Sequence, residues 1–131
     1  MKKKIRILVD LSATILHHGH INLLKKAAKY GLVIVGLTTD KEIKKNKGYN
    51  PELNYHQRKK ILLSIKYVDK VISSPWKITN NYLKKNKINL IIRGSDYTNE
   101  TFDIKVKIFP RTKGISSTLL RKKSSLIFNR Q

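Results

Sequence analysis

The sequence predicts an α/β fold: a doubly wound, parallel sheet of five strands in a single domain spanning residues 1–131. Three observations predict it. Five apolar, β-branched segments alternate with helical or polar ones along the chain. None is joined to the next by the Asn-Gly or Asp-Gly type of turn that marks a hairpin. One of them, LVIVGLTT at 32–39, is apolar almost throughout, as expected of a strand covered on both faces. Parallel strands need right-handed crossovers. In such sheets ligands bind beyond the carboxyl ends of the strands, where strand order reverses.

The elements follow in order. IRILVDL (5–11) is a strand. INLLKKAAKYG (21–31) places Leu24, Ala27 and Ala28 on one helical face and its lysines elsewhere, with Gly31 as a stop. After the strand at 32–39, DKEIKKNKGYNPEL (40–53) contains Gly48 and Pro51 and has poor periodicity, which predicts a loop with one short helical turn. Asn54 with Gln57 three residues on forms a capping-box pattern. The helix it starts is expected to run to about residue 66, with Ile61, Leu62 and Ile65 inward. Residues 69–74 read as a short strand, 78–87 as a modest helix, 88–94 as a buried strand ending in glycine, and 104–111 as the last strand. SSTLLRKK (116–123) begins a final helix, and 124–131 reads as a C-terminal tail.

Composition narrows the function. There is no cysteine, which removes disulfides and thiolate metal sites and makes a cytoplasmic location the default. No stretch approaches the ~20 apolar residues of a membrane span. The start, MKKKIRILVDL, has an apolar part broken by Arg6 and Asp10, so it reads as a lysine leader and a strand rather than a signal peptide. The net charge of +21 fits a polyanion partner, but it fits lysines on solvated helix faces equally well. A phosphate-rich small ligand needs only a few of these cations.

The polar residues that follow strands are His17–His20, Asp40, Arg93–Asp96 and Arg111–Ser117. The stretch LHHGHINLL (16–24) holds three of the four histidines. His17 and His20 are three apart, which near a helix start puts them on about one face. Gly19 leaves room for a ligand to approach the backbone, and a helix N-terminus favours anions. Two imidazoles there can donate to a phosphate as negative charge grows on it. Two other readings stay open: metal ligation with His56 as a further ligand, although no helical zinc motif is complete, and plain helix capping. In Arg111-Thr112-Lys113-Gly114-Ile115-Ser116-Ser117, Gly114 permits a tight turn, the serines offer hydroxyls at a helix start and Arg111 suits a phosphate.

His17-His18-Gly19-His20 resembles the H-x-G-H motif of the cytidylyltransferase-like nucleotidyltransferases, and 111–117 resembles their R-T-x-G-I-S-[ST] motif. Between them, Gln57-Arg58-Lys59 and Lys66-Tyr67-Val68-Asp69-Lys70-Val71 are similar to E-x-R-K and R-Y-V-D-x-V. The resemblance runs from residue 4 to about 122, with the nearest likeness to small glycerol-3-phosphate and phosphonate-pathway members. It implies a Rossmann-like fold and transfer of CMP from CTP to a small phosphorylated or phosphonylated acceptor, with release of pyrophosphate. It implies Mg2+ carried on the triphosphate and a homodimer with 66–71 near its interface. By the same resemblance, His17 and His20 act on the reacting phosphate. Leu11, Ser12, Gly19, Gly94, Asp96, Arg111, Thr112, Gly114, Ile115, Ser116 and Ser117 bind the nucleotide, and Lys44, Lys47 and Arg58 bind substrate phosphate. Asp10 and Asp40 are candidate supporting acids.

Leu11-Ser12-Ala13-Thr14 stands where the glycerol-3-phosphate members carry G-T-F-D, so Thr14 replaces an aspartate; Lys113 replaces a glutamate. These departures leave the acceptor open. Two further functions are also open: adenylyl transfer from ATP, and a nucleic-acid-binding module without catalysis. The second expects exposed aromatics interleaved with basic residues, whereas here the tyrosines and Trp76 are scattered singly.

Overall fold

Strand β1 (Arg6–Leu11) is the centre of the sheet, because its residues are apolar toward both faces. The computed structural model describes residues 4–95 and 100–129. The other strands are β2 (Leu32–Thr38), β3 (Lys70–Ser74), β4 (Leu90–Gly94) and β5 (Lys105–Phe109). All pair in parallel, in the order β3-β2-β1-β4-β5. The helices are α1 (His18–Ala28), α2 (Asp40–Lys47), α3 (Tyr55–Leu63), α4 (Asn80–Lys85) and α5 (Ser117–Asn129). The predicted five-stranded Rossmann-like sheet is what forms.

Alternate residues of β1 serve two cores. Ile7 and Val9 pack with Leu24 and Ala27 of α1 and Leu62 of α3; Leu8 packs on the other face with Leu83 of α4, Ile34 and Ile91. Each such leucine or isoleucine contributes about 1.5–3 kcal/mol when fully buried, which explains why the central strands carry almost no polar residue. The chain lays β2 and β3 on one side of β1, then returns to place β4 and β5 on the other. The reversal falls between the carboxyl ends of β1 and β4, the expected place for a ligand.

Several boundaries differ from expectation. Residues 40–47 are a helix, not a loop with one turn. Thr39 caps it by accepting from the Glu42 N–H at 3.4 Å, Asp40 and Glu42 sit in its first turn, lysines fill its last, and it ends at Gly48. Only Ile43 is buried on it, so there is no apolar period to read. Helix α1 begins at His18 rather than residue 21 and ends at Ala28 rather than Gly31. Helix α3 stops at Leu63, and Ile61 is exposed; the buried partner of Leu62 on that helix is Arg58. Helix α5 continues through the expected tail to Asn129.

Candidate active site

A cleft of about 330 Å3 lies at the reversal point, between the start of α1 and the segment that leads from β5 into α5. Of the sequence-predicted residues it gathers Leu11, Ser12, His17, Gly19, His20, Lys47, Gly94, Arg111, Thr112, Ile115, Ser116 and Ser117. Gly114 does not line the cleft; it turns the chain just before Ile115 at φ +79°, a left-handed conformation that a side chain would strain. Asp96 lies outside the described residues.

The two histidines form the start of α1. His17 is the N-cap, and its Nδ1 accepts the Gly19 N–H at 3.1 Å; His20 Nδ1 accepts the His17 N–H at 3.1 Å. Both the capping and the ligand readings of this stretch are therefore built from the same rings. A neutral imidazole that accepts at Nδ1 carries its proton at Nε2, so each ring presents an Nε2–H donor. The rings lie 4.0 Å apart. Burial pushes His20 down to about 4, with the His17 and Arg111 charges adding to it. Burial also lowers His17, as do His18 and Arg111. Both are thus neutral donors at neutral pH. Gly19 has a second purpose beyond ligand access: a Cβ there would come within 2.8 Å of the His17 ring, so only glycine lets the imidazole fold back onto the backbone.

A second helix start faces the first. Ser116 accepts the Leu119 N–H at 3.0 Å and so caps α5, while Ser117 donates to the Ile15 carbonyl at 2.8 Å and ties α5 to the loop after β1. Asn22 of α1 donates to Thr112 at 2.9 Å, which fixes the 110–116 segment against α1. Two helix N-termini and Arg111 therefore share one cleft, an arrangement suited to a polyphosphate.

Three predicted phosphate binders part company. Lys47 lines the cleft. Lys44 is exposed outside it and donates to the Gly48 carbonyl at 3.3 Å. Arg58 is 1% exposed and is absorbed by the frame: it donates to the carbonyls of Leu53, Ser12 and Thr38 at 3.0, 2.7 and 2.9 Å and pairs with Asp40 at 2.6 Å. It joins the carboxyl ends of β1 and β2 instead of facing the cleft. Thr14 is buried and accepts from Arg121 at 3.1 Å, and Arg121 takes Glu52 as its carboxylate partner at 2.9 and 2.6 Å. Asp10 pairs with Arg93, which donates from Nε and Nη2 to its two carboxylate oxygens at 3.0 Å each. His56 stands on α3 against Tyr55. Among the described residues no group of three or more His, Cys, Asp and Glu gathers that could hold a metal ion.

Sequence reasoning missed Asn22 and Lys26, which line the cleft from α1. The signal was present: Gly19, Asn22 and Lys26 recur at three- and four-residue spacing from the histidine motif, one face of a helix.

The profile of one family, described as cytidylyltransferase-like, matches residues 13–123. The chain belongs to the cytidylyltransferase-like family. It is 34% identical to the ethanolamine-phosphate cytidylyltransferase of Dictyostelium discoideum over 91% of its length, and spans only 36% of that protein. It is 36% identical to the glycerol-3-phosphate cytidylyltransferase of Staphylococcus aureus, covering 88% of itself and 92% of that chain. It is 33% identical to the FAD synthase of Pyrococcus horikoshii, over 91% of itself and 80% of that protein. Among solved structures, the lipopolysaccharide core biosynthesis protein of Thermoplasma volcanium superposes with a TM-score of 0.66 at 26% identity, covering 86% of this chain and 99% of that one. Within this cytidylyltransferase-like chain the family match takes in both helix starts and all of the cleft except Asp10, Leu11 and Ser12. No described helix is long and apolar enough to cross a membrane.

Proposed function

We propose that the chain transfers CMP from CTP to a small phosphate-bearing acceptor and releases pyrophosphate. One observation carries this reading: two neutral imidazole Nε2–H donors, two helix N-termini and Arg111 converge on a single cleft. That is a receptor for a triphosphate rather than for a single anion. An acceptor phosphate oxygen attacks the α-phosphorus of CTP. The new P–O bond forms as the bond from α-phosphorus to the bridging oxygen breaks, and pyrophosphate leaves with the electron pair. The attacking oxygen is already anionic, so no general base is needed. The work of the protein is alignment and charge stabilisation. His17 and His20 donate to the α-phosphate oxygens as charge builds, and Arg111 with the α5 start holds the departing phosphates. Mg2+ enters with the triphosphate, as part of the substrate. Relatives named as cytidylyltransferases and as an FAD synthase are both similar to this chain; the RTKGISS segment supports CTP.

The test is pyrophosphate release with each of the four nucleoside triphosphates, Mg2+ and a panel of small phosphates and phosphonates. Release with CTP is expected. Release with ATP alone moves the chain to adenylyl transfer, and none with any pair refutes catalysis. A homodimer is part of the same proposal, supported by the edge position of β3 and the exposed Ile61 and Leu63 beside it; sedimentation reads it out.

A further inference from the structure

The eight acidic residues are unevenly placed along the chain. One stands at position 10 and the rest lie between 40 and 103, so 11–39 and 104–131 hold none. Those two segments carry three and eight Lys or Arg. The first forms α1 and β2, the second β5 and α5. The fold brings the α1 side of one against the β5 edge of the other. Lys26 Nζ on α1 lies 5.2 Å from the centre of the Phe109 ring on β5. Lys107 Nζ lies 4.9 Å from the centre of the Tyr30 ring, just after α1, and 5.7 Å from that of Phe109. The two rings are 6.2 Å apart and inclined at 51°. Tyr30 is 40% exposed, and Lys29 and Lys105 next to this group are exposed.

Aromatic residues that stand singly in the sequence therefore meet in the fold, each with a lysine ammonium at its ring. Strand β5 is an edge of the sheet, and alternation puts Lys105, Lys107 and Phe109 on one side of it. Lysines on an edge strand discourage pairing with another sheet, but that purpose needs no rings. Rings interleaved with cations suit a different task. The cations follow a sugar-phosphate chain, and an exposed ring face takes an unpaired base. Neither α1 nor β5 supplies a carboxylate that would repel the phosphates. The strip is also continuous with the cleft, because Lys26 lines both.

We infer that Tyr30, Lys107, Phe109 and Lys26 form a binding surface for single-stranded nucleic acid, with Tyr30 stacking on a base and the lysines of α1 and β5 contacting its phosphates. The surface is additional to the transfer reaction and does not depend on it. Binding and cytidylyl transfer are measured separately, and either can fail alone.

The experiment follows the fluorescence anisotropy of a labelled oligouridylate of about twelve nucleotides, and of an RNA duplex of equal length, over a range of salt. Binding of the single strand is expected at low salt and should weaken as salt rises. Tyr30→Ala should weaken it about fivefold or more. The same change should not affect the duplex, whose bases are already stacked, and Tyr30→Phe should keep the natural affinity. Lys105→Gln with Lys107→Gln should flatten the plot of log K against log salt by about 1.4, two phosphate contacts at ~0.7 each. Lys84→Gln with Lys85→Gln makes the same change of charge at exposed positions of α4, across the sheet, and should leave the slope in place. Equal weakening by the two lysine pairs assigns the binding to overall charge and overturns the inference. So does a Tyr30→Ala chain that binds the single strand as well as the natural one. Tighter binding to phosphatidylglycerol vesicles, lost in the same variants, makes the strip a lipid contact and overturns it too. No binding at low salt overturns it outright. A natural thermal melt shows that each variant is folded; if Tyr30→Ala is not, the two lysine pairs decide.

Discussion

Helices α1 and α3 start with the same device, a reciprocal cap in which the N-cap and third-residue side chains each accept a backbone N–H. In α3 the pair is Asn54 and Gln57, with both bonds at 2.9 Å and both side chains exposed. In α1 it is His17 and His20. An amide used this way has spent its oxygen, and its NH2 group faces water. An imidazole meets the same backbone need with one nitrogen and carries a proton on the other, at the far edge of the ring. Capping therefore fixes both the tautomer and the direction of a donor. The difference teaches that the histidine cap, unlike the amide one, leaves a directed donor on each ring of two residues that line the cleft, which is what the proposed transfer reaction would use.

Exchanging the two boxes gives the largest expected effect. The double variant His17→Asn, His20→Gln installs the α3 pair on α1. Its thermal melt should stay close to that of the natural chain. Its kcat/KM for cytidylyl transfer should fall by at least about 10²–10³-fold, the usual loss for a preorganised donor to a charged transition state. The reverse exchange, Asn54→His with Gln57→His, should leave turnover unchanged, because neither residue lines the cleft that holds His17 and His20. Turnover within about tenfold of natural in the first variant breaks the comparison, since it leaves the histidines as caps alone.

Arg58 sharpens it next. The second half of what distinguishes α3 is that its one arginine inside the fold serves the frame. Arg58→Met removes bonds to three backbone carbonyls and to Asp40. Buried acceptors left unsatisfied cost about 1–3 kcal/mol each, offset in part by relaxation, so an overall loss of about 3 kcal/mol is expected in urea unfolding. A ligand of the acceptor phosphate behaves differently: its loss raises the acceptor KM and leaves the unfolding midpoint in place. That second pattern, if observed, returns Arg58 to the site that the family resemblance implied for it.

The sequence told the two helices apart only in part. The α3 box was legible as N-x-x-Q, because amides are ordinary capping groups. The α1 box was legible as a ligand motif, but its helix was expected three residues late, since imidazole is an unusual cap. The central strands were legible because strands buried on both faces must be apolar, and the half-exposed β5 because its apolar and charged residues alternate. Helix α2 was not, because one buried isoleucine holds it and its capping threonine reads as the end of a strand. The burial of Arg58 was out of reach: it depends on carbonyls from three segments that only the fold brings together. The Asp10–Arg93 pair joins residues 83 apart and left no local trace.

The smallest effect is one of acidity, and it too separates the helices. His20 has a pKa of about 4 in the fold against 6.5 for the free side chain. Between those values the unfolded chain binds the proton that the folded chain refuses, so stability rises with pH there. The contribution is complete above about 6.5 and is lost as pH falls toward 4. Protonation also abolishes the Nδ1 acceptor, so the first turn of α1 should open locally. Hydrogen exchange at the His17 and Gly19 amides, corrected for intrinsic rate, should therefore quicken between pH 7 and pH 5. The Gln57 amide is capped by a group that does not titrate and should not follow. Because the opening is confined to one turn, it should shift the global melt less than Arg58→Met does. Equal acceleration at both helix starts assigns the acid effect to the fold as a whole and removes the histidine cap as its cause.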